Sequence, residues 1–210
     1  MKYRVLVRRL LLREERYISD KELKELCKKL KLKYKHALTY LYNKKYLDRI
    51  VRGFFYIPSA EAHRLKTGKP SLYEAISKAM DYKKVNNWYF GLETAIKLNN
   101  ITHEFFTIDY VVSDKIFRAK PFEILGRKVK FVKLSKKLFS FGIKKEGNIR
   151  YSDLEKTILD IIHIRKYAGE SNKVIRDYTI EWSDEADKDK MKKYSKHYNK
   201  SAMKVLEELK

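Results

Sequence analysis

The chain has 210 residues, of which 49 are Lys or Arg and 27 are Asp or Glu, so its net charge is +22 at pH 7. Hydrophobic residues make up 44% of the chain, which excludes wholesale disorder, and the length fits one large domain or two small ones. No stretch approaches the roughly 20 apolar residues that a membrane span needs. The single cysteine cannot form an intramolecular disulfide, so we expect a cytoplasmic protein without a membrane partner.

The composition and the position of the charge point to an anionic partner. Gln is absent while Lys, Glu, Ile and Tyr are abundant, a bias typical of thermophilic proteins. Residues 1–58 carry a net charge of +11 and residues 59–150 carry +10, whereas residues 151–210 carry only +1. A positive surface gains free energy by releasing counterions from phosphates, which favours nucleic acid as the partner. The alternative is the Lys-rich, solvated surface of a thermophilic protein.

Hydrophobic periodicity predicts three helices before residue 45. The first covers about 14 residues, the second begins at Ser19 or Asp20 and runs to about Lys29, and the third follows Leu32. Two strand-like runs at 46–51 and 54–57 flank Arg52-Gly53, a pair that suits a tight hairpin. This order is typical of a winged helix-turn-helix, in which the third helix enters the DNA major groove.

The polar face of the third predicted helix carries the side chains that direct readout of DNA needs: lysines for guanine or phosphate, Asn for adenine, and Thr and Tyr for phosphate or a thymine methyl group. The predicted DNA contacts on this helix are Lys33, Lys35, His36, Thr39, Tyr40, Asn43 and Lys44. Those on the wing are Arg49 and Arg52. Two alternatives remain open, because winged helices also dock proteins and an exposed Lys-rich face is often merely solvated.

We predict a winged-helix domain at 1–58, a linker at 59–71 and a mixed α/β domain at 72–210, which together give an α+β fold. The second domain is expected to hold a small sheet and packed helices. Its predicted helices are one from Ser71 to about Met80, one within 87–98 that aromatic residues precede, and one that begins within 151–162. Its predicted strands are at 105–112, 122–125 and 128–134. The lysines of the hairpin, Lys128, Lys130 and Lys133, are expected on one wet face.

The last sixty residues are predicted to be mostly helical. Ser152 and Glu155 form a capping-box pattern, so Asp153, Glu155 and Asp160 are interpreted as capping and surface residues. Beyond Gly169 the chain is polar and helical, and a final turn is expected to pack through Met203, Val205, Leu206 and Leu209.

The motifs of several enzyme classes are absent, so we predict no enzyme, no cofactor and no metal site. There is no P-loop, no GxSxG elbow and no zinc-binding spacing among the five histidines. The alternative of a metal-dependent nuclease rests on three acidic residues near the predicted sheet, Asp109, Asp114 and Glu123, with Lys128 downstream. Their spacing is loose, and chance explains it better.

Three segments resemble the AbiEi family of antitoxins from type IV toxin-antitoxin and abortive-infection systems. The segment 52–58, RGFFYIP, resembles the family's wing strand, and Gly91-Leu92-Glu93-Thr94-Ala95 with Asn100-Ile101-Thr102 resembles its small-residue helix and following turn. The most specific match is 152–160, SDLEKTILD, which resembles the family's "ERT-LLD" helix. The resemblance spans nearly the whole chain, although Asn100 and Lys45 stand at turn positions where Gly is common.

The resemblance implies a DNA-binding repressor of its own operon whose C-terminal domain antagonises a nucleotidyltransferase-like toxin, AbiEii, without a stable complex. Two other interpretations remain. One is a winged-helix regulator whose C-terminal domain senses a ligand or partner, and the other is a nucleic-acid enzyme with a winged-helix targeting module.

Overall fold

The computed structural model describes residues 2–65 and 68–208 and has a mixed α+β fold of small sheets and packed helices. The chain divides into two compact units. The first unit comprises Met1–Lys84 with Glu123–Gly126, and the second comprises Val85–Phe122 with Arg127–Lys210. Leu209, which the sequence predicts to pack in the last turn, lies outside the described residues. Within those residues, no helix combines the length and the apolar character needed to cross a membrane.

The first unit contains five helices and a three-stranded antiparallel sheet of order β1-β3-β2. The three early helices and the hairpin form where the sequence predicts them, whereas the short strand β1 was not predicted. Its elements are α1 (Lys2–Leu11), β1 (Tyr17–Ser19), α2 (Asp20–Lys29), α3 (Tyr34–Asn43), β2 (Asp48–Val51), β3 (Phe54–Tyr56), α4 (Ala60–Leu65) and α5 (Leu72–Tyr82).

Local chemistry explains where these elements begin and turn. Ser19 caps α2 in a full capping box with Glu22, as the Ser19 hydroxyl accepts from the Glu22 amide and the Glu22 carboxylate accepts from the Ser19 amide. Gly53 turns the hairpin at φ +83°, a conformation that favours glycine. Lys45 adopts φ +57° just after α3, a left-handed geometry that favours glycine at the end of a helix.

The predicted linker does not separate the two units. The 59–71 segment contains α4, and α5 packs against β2 and β3 within the first unit. The ring of Tyr82 in α5 stacks on Phe54 of β3 at a centroid distance of 4.8 Å. The unit boundary therefore falls after Lys84, because the apolar face of α5 covers the hairpin sheet.

The second unit is built around five strands of a mixed sheet, in the order β7-β5-β4-β9-β8. Strands β4 and β5 are antiparallel, β5 and β7 parallel, β4 and β9 parallel, and β8 and β9 antiparallel. The elements of this unit are β4 (Trp88–Phe90), α6 (Leu92–Leu98), β5 (Ile108–Ser113), β7 (Arg127–Lys133), a 3-10 helix (Lys136–Phe139), β8 (Ile143–Glu146), β9 (Ile149–Ser152), α7 (Leu154–Tyr167), α8 (Asn172–Asp184), α9 (Lys188–Ser195) and α10 (Lys200–Glu207). The short strand β6 (Phe122–Ile124) falls mostly within the residues assigned to the first unit.

The prediction that three lysines of β7 share one solvated face is only partly correct. Lys128 and Lys130 lie on one face of β7, whereas Lys133 lies on the other, because side chains alternate along a strand. Lys130 is half-buried beside Arg165 and Glu93 rather than freely solvated.

Helix α7 is the central helix of the second unit and corrects the sequence interpretation of its acidic residues. Ser152 belongs to β9, and Asp153 is the residue that caps α7 by accepting from the Lys156 amide at 3.0 Å. Asp153, Glu155 and Asp160 are all buried rather than on the surface. The reason is that α6, α8, α9 and α10 all pack against α7, so this helix has no solvated face over its first nine residues.

Candidate nucleic-acid interface

Helix α3 presents one apolar face to the core and one polar face to solvent. Ala37 and Leu41 are fully buried in the cluster that also contains residues of α1, α2 and β3. This packing fixes the rotation of α3, because residues three and four apart share a face of a helix.

The outward face carries a row of three exposed side chains at four-residue spacing. Lys35, Thr39 and Asn43 follow one another along the helix and span about 12 Å of its axis. The Thr39 hydroxyl donates to the carbonyl of Lys35 at 3.1 Å, so its hydrogen is occupied within the helix. Its methyl group and oxygen lone pairs remain available to a partner.

The other predicted contacts of this helix lie beside that row. Lys33 precedes the helix, Lys44 follows it, and both are exposed, as is His36. Tyr40 is half-buried, with its ring centroid 4.7 Å from that of Tyr3 in α1. All seven predicted residues of the third helix therefore share the solvent side of α3, with Tyr40 at its margin.

The two wing arginines lie at different places on the hairpin. Arg49 is exposed in β2 opposite Phe55, and Arg52 is exposed at the hairpin tip. The tip is tied to the rest of the unit, because the carbonyl of Arg52 accepts from Lys83 Nζ at 2.8 Å and that of Gly53 accepts from the Asp20 amide at 2.8 Å.

Asp20 links the start of α3 to the hairpin tip. Its carboxylate accepts a hydrogen bond from the Tyr34 hydroxyl and pairs with Lys24. Burial raises the pKa of the Asp20 carboxyl, but these two hydrogen bonds outweigh burial and lower its pKa overall. Burial and the bond to Asp20 raise the pKa of Tyr34. The start of α3 is therefore held close to Gly53 by an ionised carboxylate.

The positive charges of this surface are not neutralised locally. Within residues 2–65 and 68–208, no ion pair involves the side chains of Lys33, Lys35, Lys44, Arg49 or Arg52, and α3 itself contains no carboxylate. The nearest acid on β2 is the partly buried Asp48, whose pKa is raised by burial against the opposing effect of Lys69 and Lys45. The surface therefore has the electrostatics that an anionic ligand requires.

The acidic residues of the nuclease alternative have other partners. Asp109 is buried and accepts from Arg127 at 2.7 Å, while Asp114 accepts from the side chain of Asn87 at 2.8 Å. Glu123 is exposed in β6. In the part of the chain that the structure describes, no group of three or more His, Cys, Asp and Glu residues is placed to hold a metal ion.

A buried polar network in the second unit was missed by the sequence analysis. Asp160 is fully buried and accepts from the hydroxyls of Tyr89 and Tyr198, both at 2.7 Å, and from Lys156 Nζ at 3.4 Å. Burial lowers the pKa of Lys156 against the opposing effect of Asp160. The ammonium also lies 4.9 Å from the ring centroid of Tyr89 and 4.7 Å from that of Phe141.

The resemblance segment 152–160 thus supplies the centre of this network. A signal was present in the sequence, because Asp160 stands between Ile158-Leu159 and Ile161-Ile162 and follows Lys156 by four residues. An acid bracketed by apolar residues with a cation one turn away indicates a buried pair rather than a surface residue.

Comparison with known proteins supports the fold and leaves the family open. No family model matches this chain, and no curated protein matches it significantly. The chain is similar in structure to the RV2827C protein from Mycobacterium tuberculosis, whose crystal structure aligns with a TM-score of 0.62. The alignment covers 99% of this chain and 75% of that one at 9% sequence identity. At 9% identity, the similarity shows that the two chains share a fold.

Proposed function

We propose that the first unit is a winged helix-turn-helix that binds double-stranded DNA, with α3 as the recognition helix and β2–β3 as the wing. The observation that carries the proposal is the exposed row Lys35, Thr39 and Asn43 on a helix whose opposite face is locked into the core. Lys and Asn are the side chains that read guanine and adenine edges in the major groove. The order helix, strand, two helices and hairpin supports the same assignment.

We further propose that the chain represses its own operon and acts as an antitoxin against a nucleotidyltransferase-like toxin encoded beside it. This part rests on the resemblance of 152–160 and of the other two segments to the AbiEi family. The basic first unit fits promoter binding, whereas the nearly neutral last sixty residues suit a different task.

A mobility-shift titration at two salt concentrations tests the DNA-binding proposal. Replacing Lys35, Thr39 and Asn43 together by Ala is expected to erase the preference for the chain's own upstream DNA over a scrambled duplex. Arg52→Ala is expected to weaken binding to both duplexes and to lower the salt slope by about 0.9. Lys173→Ala, an exposed position in α8, removes the same charge as a control and should change neither quantity. Full preference in the triple variant would contradict the role of α3.

The antitoxin proposal needs a separate experiment. Co-expression of the full chain with the product of a neighbouring nucleotidyltransferase gene is expected to restore growth, and the triple α3 variant should restore it equally. Loss of rescue in the triple variant would show that repression alone accounts for the effect.

The second candidate is a winged-helix regulator whose second unit senses a ligand. A groove of about 360 Å³ in that unit favours it, because Met191, Met203 and Leu206 give the groove an apolar lining. A metabolite that changes operator affinity in the absence of any toxin gene would support this candidate over the antitoxin.

A further inference from the structure

A groove of about 430 Å³ lies beside α3, between this helix and α1. Two arginines of α1, Arg4 and Arg8, line it together with Tyr40 of α3 and Tyr46 of the following loop. Apolar side chains complete the lining: Val7, Leu11 and Leu12. The groove thus combines two cations and two phenols next to the predicted reading face.

Each tyrosine of the groove packs against an aromatic ring that does not line the groove. The Tyr40 ring packs on Tyr3, and the Tyr46 ring stacks on His63 at a centroid distance of 4.1 Å and an interplanar angle of 10°. His63 is fixed in turn, since its Nε2 lies 2.8 Å from the carbonyl oxygen of Lys44. A ligand in the groove therefore meets walls that are already ordered, which reduces the entropy lost on binding.

The arginines of the groove carry uncompensated charge. Arg4 and Arg8 are exposed, stand four residues apart on one face of α1, and form no ion pair with any residue of 2–65 or 68–208. Like charges at this spacing destabilise a helix. Arg13, just after α1, shows the contrasting arrangement, because it pairs with Glu22 at 3.0 Å. Two unpaired guanidinium groups about 6 Å apart along the helix suit an extended polyanion.

The groove and the hairpin lie on opposite flanks of α3. Tyr40 and Tyr42 are two residues apart and so point about 200° apart around the helix. Tyr40 borders the groove, whereas Tyr42 contacts Phe55 of β3 and borders a cavity that Arg49 also lines. A helix inserted in the major groove has a sugar-phosphate strand on each side, so each flank of α3 would face one backbone.

We propose that Arg4 and Arg8, with the Tyr40 hydroxyl, bind the phosphates of one DNA strand beside α3. This inference rests on the proposed function and deepens it, because it adds a second backbone contact to that of the hairpin. Phosphate contacts of this kind fix the register of a protein on the duplex without reading the base sequence.

The chain offers a closely matched pair of variants for the test. Arg8 and Arg9 are neighbours in α1, both are exposed, and only Arg8 lines the groove. In full-length protein, Arg8→Ala is expected to lower the slope of log affinity against log salt by about 0.9, and Arg4→Ala/Arg8→Ala by about twice that. Arg9→Ala should lower it by less than half as much as Arg8→Ala. The ratio of affinities for upstream and scrambled duplex should stay unchanged in all three variants.

The outcomes separate this inference from the proposed function. If wild-type protein binds duplex DNA and Arg8→Ala and Arg9→Ala give equal slopes, the groove is not a phosphate site, although the DNA-binding proposal survives. If wild-type protein binds no duplex even at low salt, both fail. Arg8→Lys controls for folding, since it keeps the charge and should retain most of the slope. If the salt slope of Arg8→Lys fell as low as that of Arg8→Ala, the proposal would also be overturned.

Discussion

Removing one partner of the buried pair Lys156–Asp160 should strongly destabilise the second unit. Both side chains are fully buried, and Asp160 is the common acceptor for Lys156 and the hydroxyls of Tyr89 and Tyr198. Asp160→Asn preserves the shape and a carbonyl acceptor for a tyrosine but leaves the Lys156 ammonium without a counter-charge. Breaking one partner of a buried ion pair costs about 3–5 kcal/mol, so we expect a loss of this size in the free energy of unfolding.

A double-mutant cycle separates the cost of the uncompensated Lys156 charge from the cost of the lost hydrogen bonds. Lys156→Met in the Asp160→Asn background removes the uncompensated ammonium while filling a similar volume. The double variant is therefore expected to be about 2 kcal/mol more stable than Asp160→Asn alone, although it is still less stable than the wild type. Asp177→Asn, an exposed carboxylate in α8, serves as the surface control and should change stability by less than about 0.5 kcal/mol.

Tryptophan fluorescence in urea measures this cycle selectively. Both tryptophans of the chain, Trp88 and Trp182, lie in the second unit and are buried there. Their emission therefore reports unfolding of that unit. If Lys156→Met made Asp160→Asn still less stable, by the sum of the two single losses, the charge would not be the source of the cost and the reasoning would be refuted.

Two further predictions concern the surroundings of this pair. Gly142 has φ +63°, and a Cβ at this position would lie 2.7 Å from Lys156 Cβ, whereas Gly169 has φ +86° and open space around it. Gly142→Ala should therefore destabilise the protein by about 1–3 kcal/mol more than Gly169→Ala in urea titrations, because both suffer backbone strain but only the first is overpacked; equal losses would contradict the close approach. Glu155 accepts from Lys190 at 2.8 Å and from the Asp187 amide at 3.2 Å; burial raises its pKa, but these bonds outweigh burial and hold the pKa below its ordinary value of 4.5. A carboxyl with a lowered folded-state pKa contributes stability that is present above 4.5 and is lost as the pH falls through the folded-state pKa. Glu155→Gln should accordingly be less stable than wild type at pH 7, and the gap should narrow as unfolding is followed to lower pH; a gap that is constant with pH would show that Glu155 is not ionised through these contacts.

The first unit could be predicted well because its patterns are local. The apolar positions Ala37 and Leu41 fix which side of α3 faces the core, and Ser19 with Glu22 fixes the start of α2 within a few residues. Strands β1, β4, β8 and β9 escaped prediction because each has only three or four residues, too few for an alternating pattern to appear. The equally short β3 and β6 were predicted because each lies next to a glycine-containing hairpin turn, at Gly53 and Gly126. The turn position at Lys45 was recognised, and it keeps the left-handed backbone that favours glycine although a lysine occupies it.

The second unit was harder to predict because the burial of α7 depends on distant parts of the chain. Asp153 accepts from Tyr194 at 3.1 Å and pairs with Lys190 at 2.8 Å, and Asp160 accepts from Tyr198. These partners lie about forty residues further along, on and after α9. A capping pattern in the local sequence carries no information about such distant partners. The acidic residues of this segment were therefore interpreted as solvated.

The charged side chains of α7 and those on the outward faces of α1 and α3 differ in how they are paired, and this contrast bears on function. In α7 the buried charged side chains of Asp153, Glu155 and Asp160 each have a cationic partner within 3.4 Å, which is what folding alone requires of a buried charge. On α1 and α3, by contrast, Arg4, Arg8 and Lys35 form no ion pair with a carboxylate of residues 2–65 or 68–208. Neutralising such cations should stabilise the free protein slightly while weakening the proposed binding to DNA, because like-charge repulsion is lost together with the proposed phosphate contacts. The unpaired cations of this surface are therefore the feature on which the DNA-binding proposal depends.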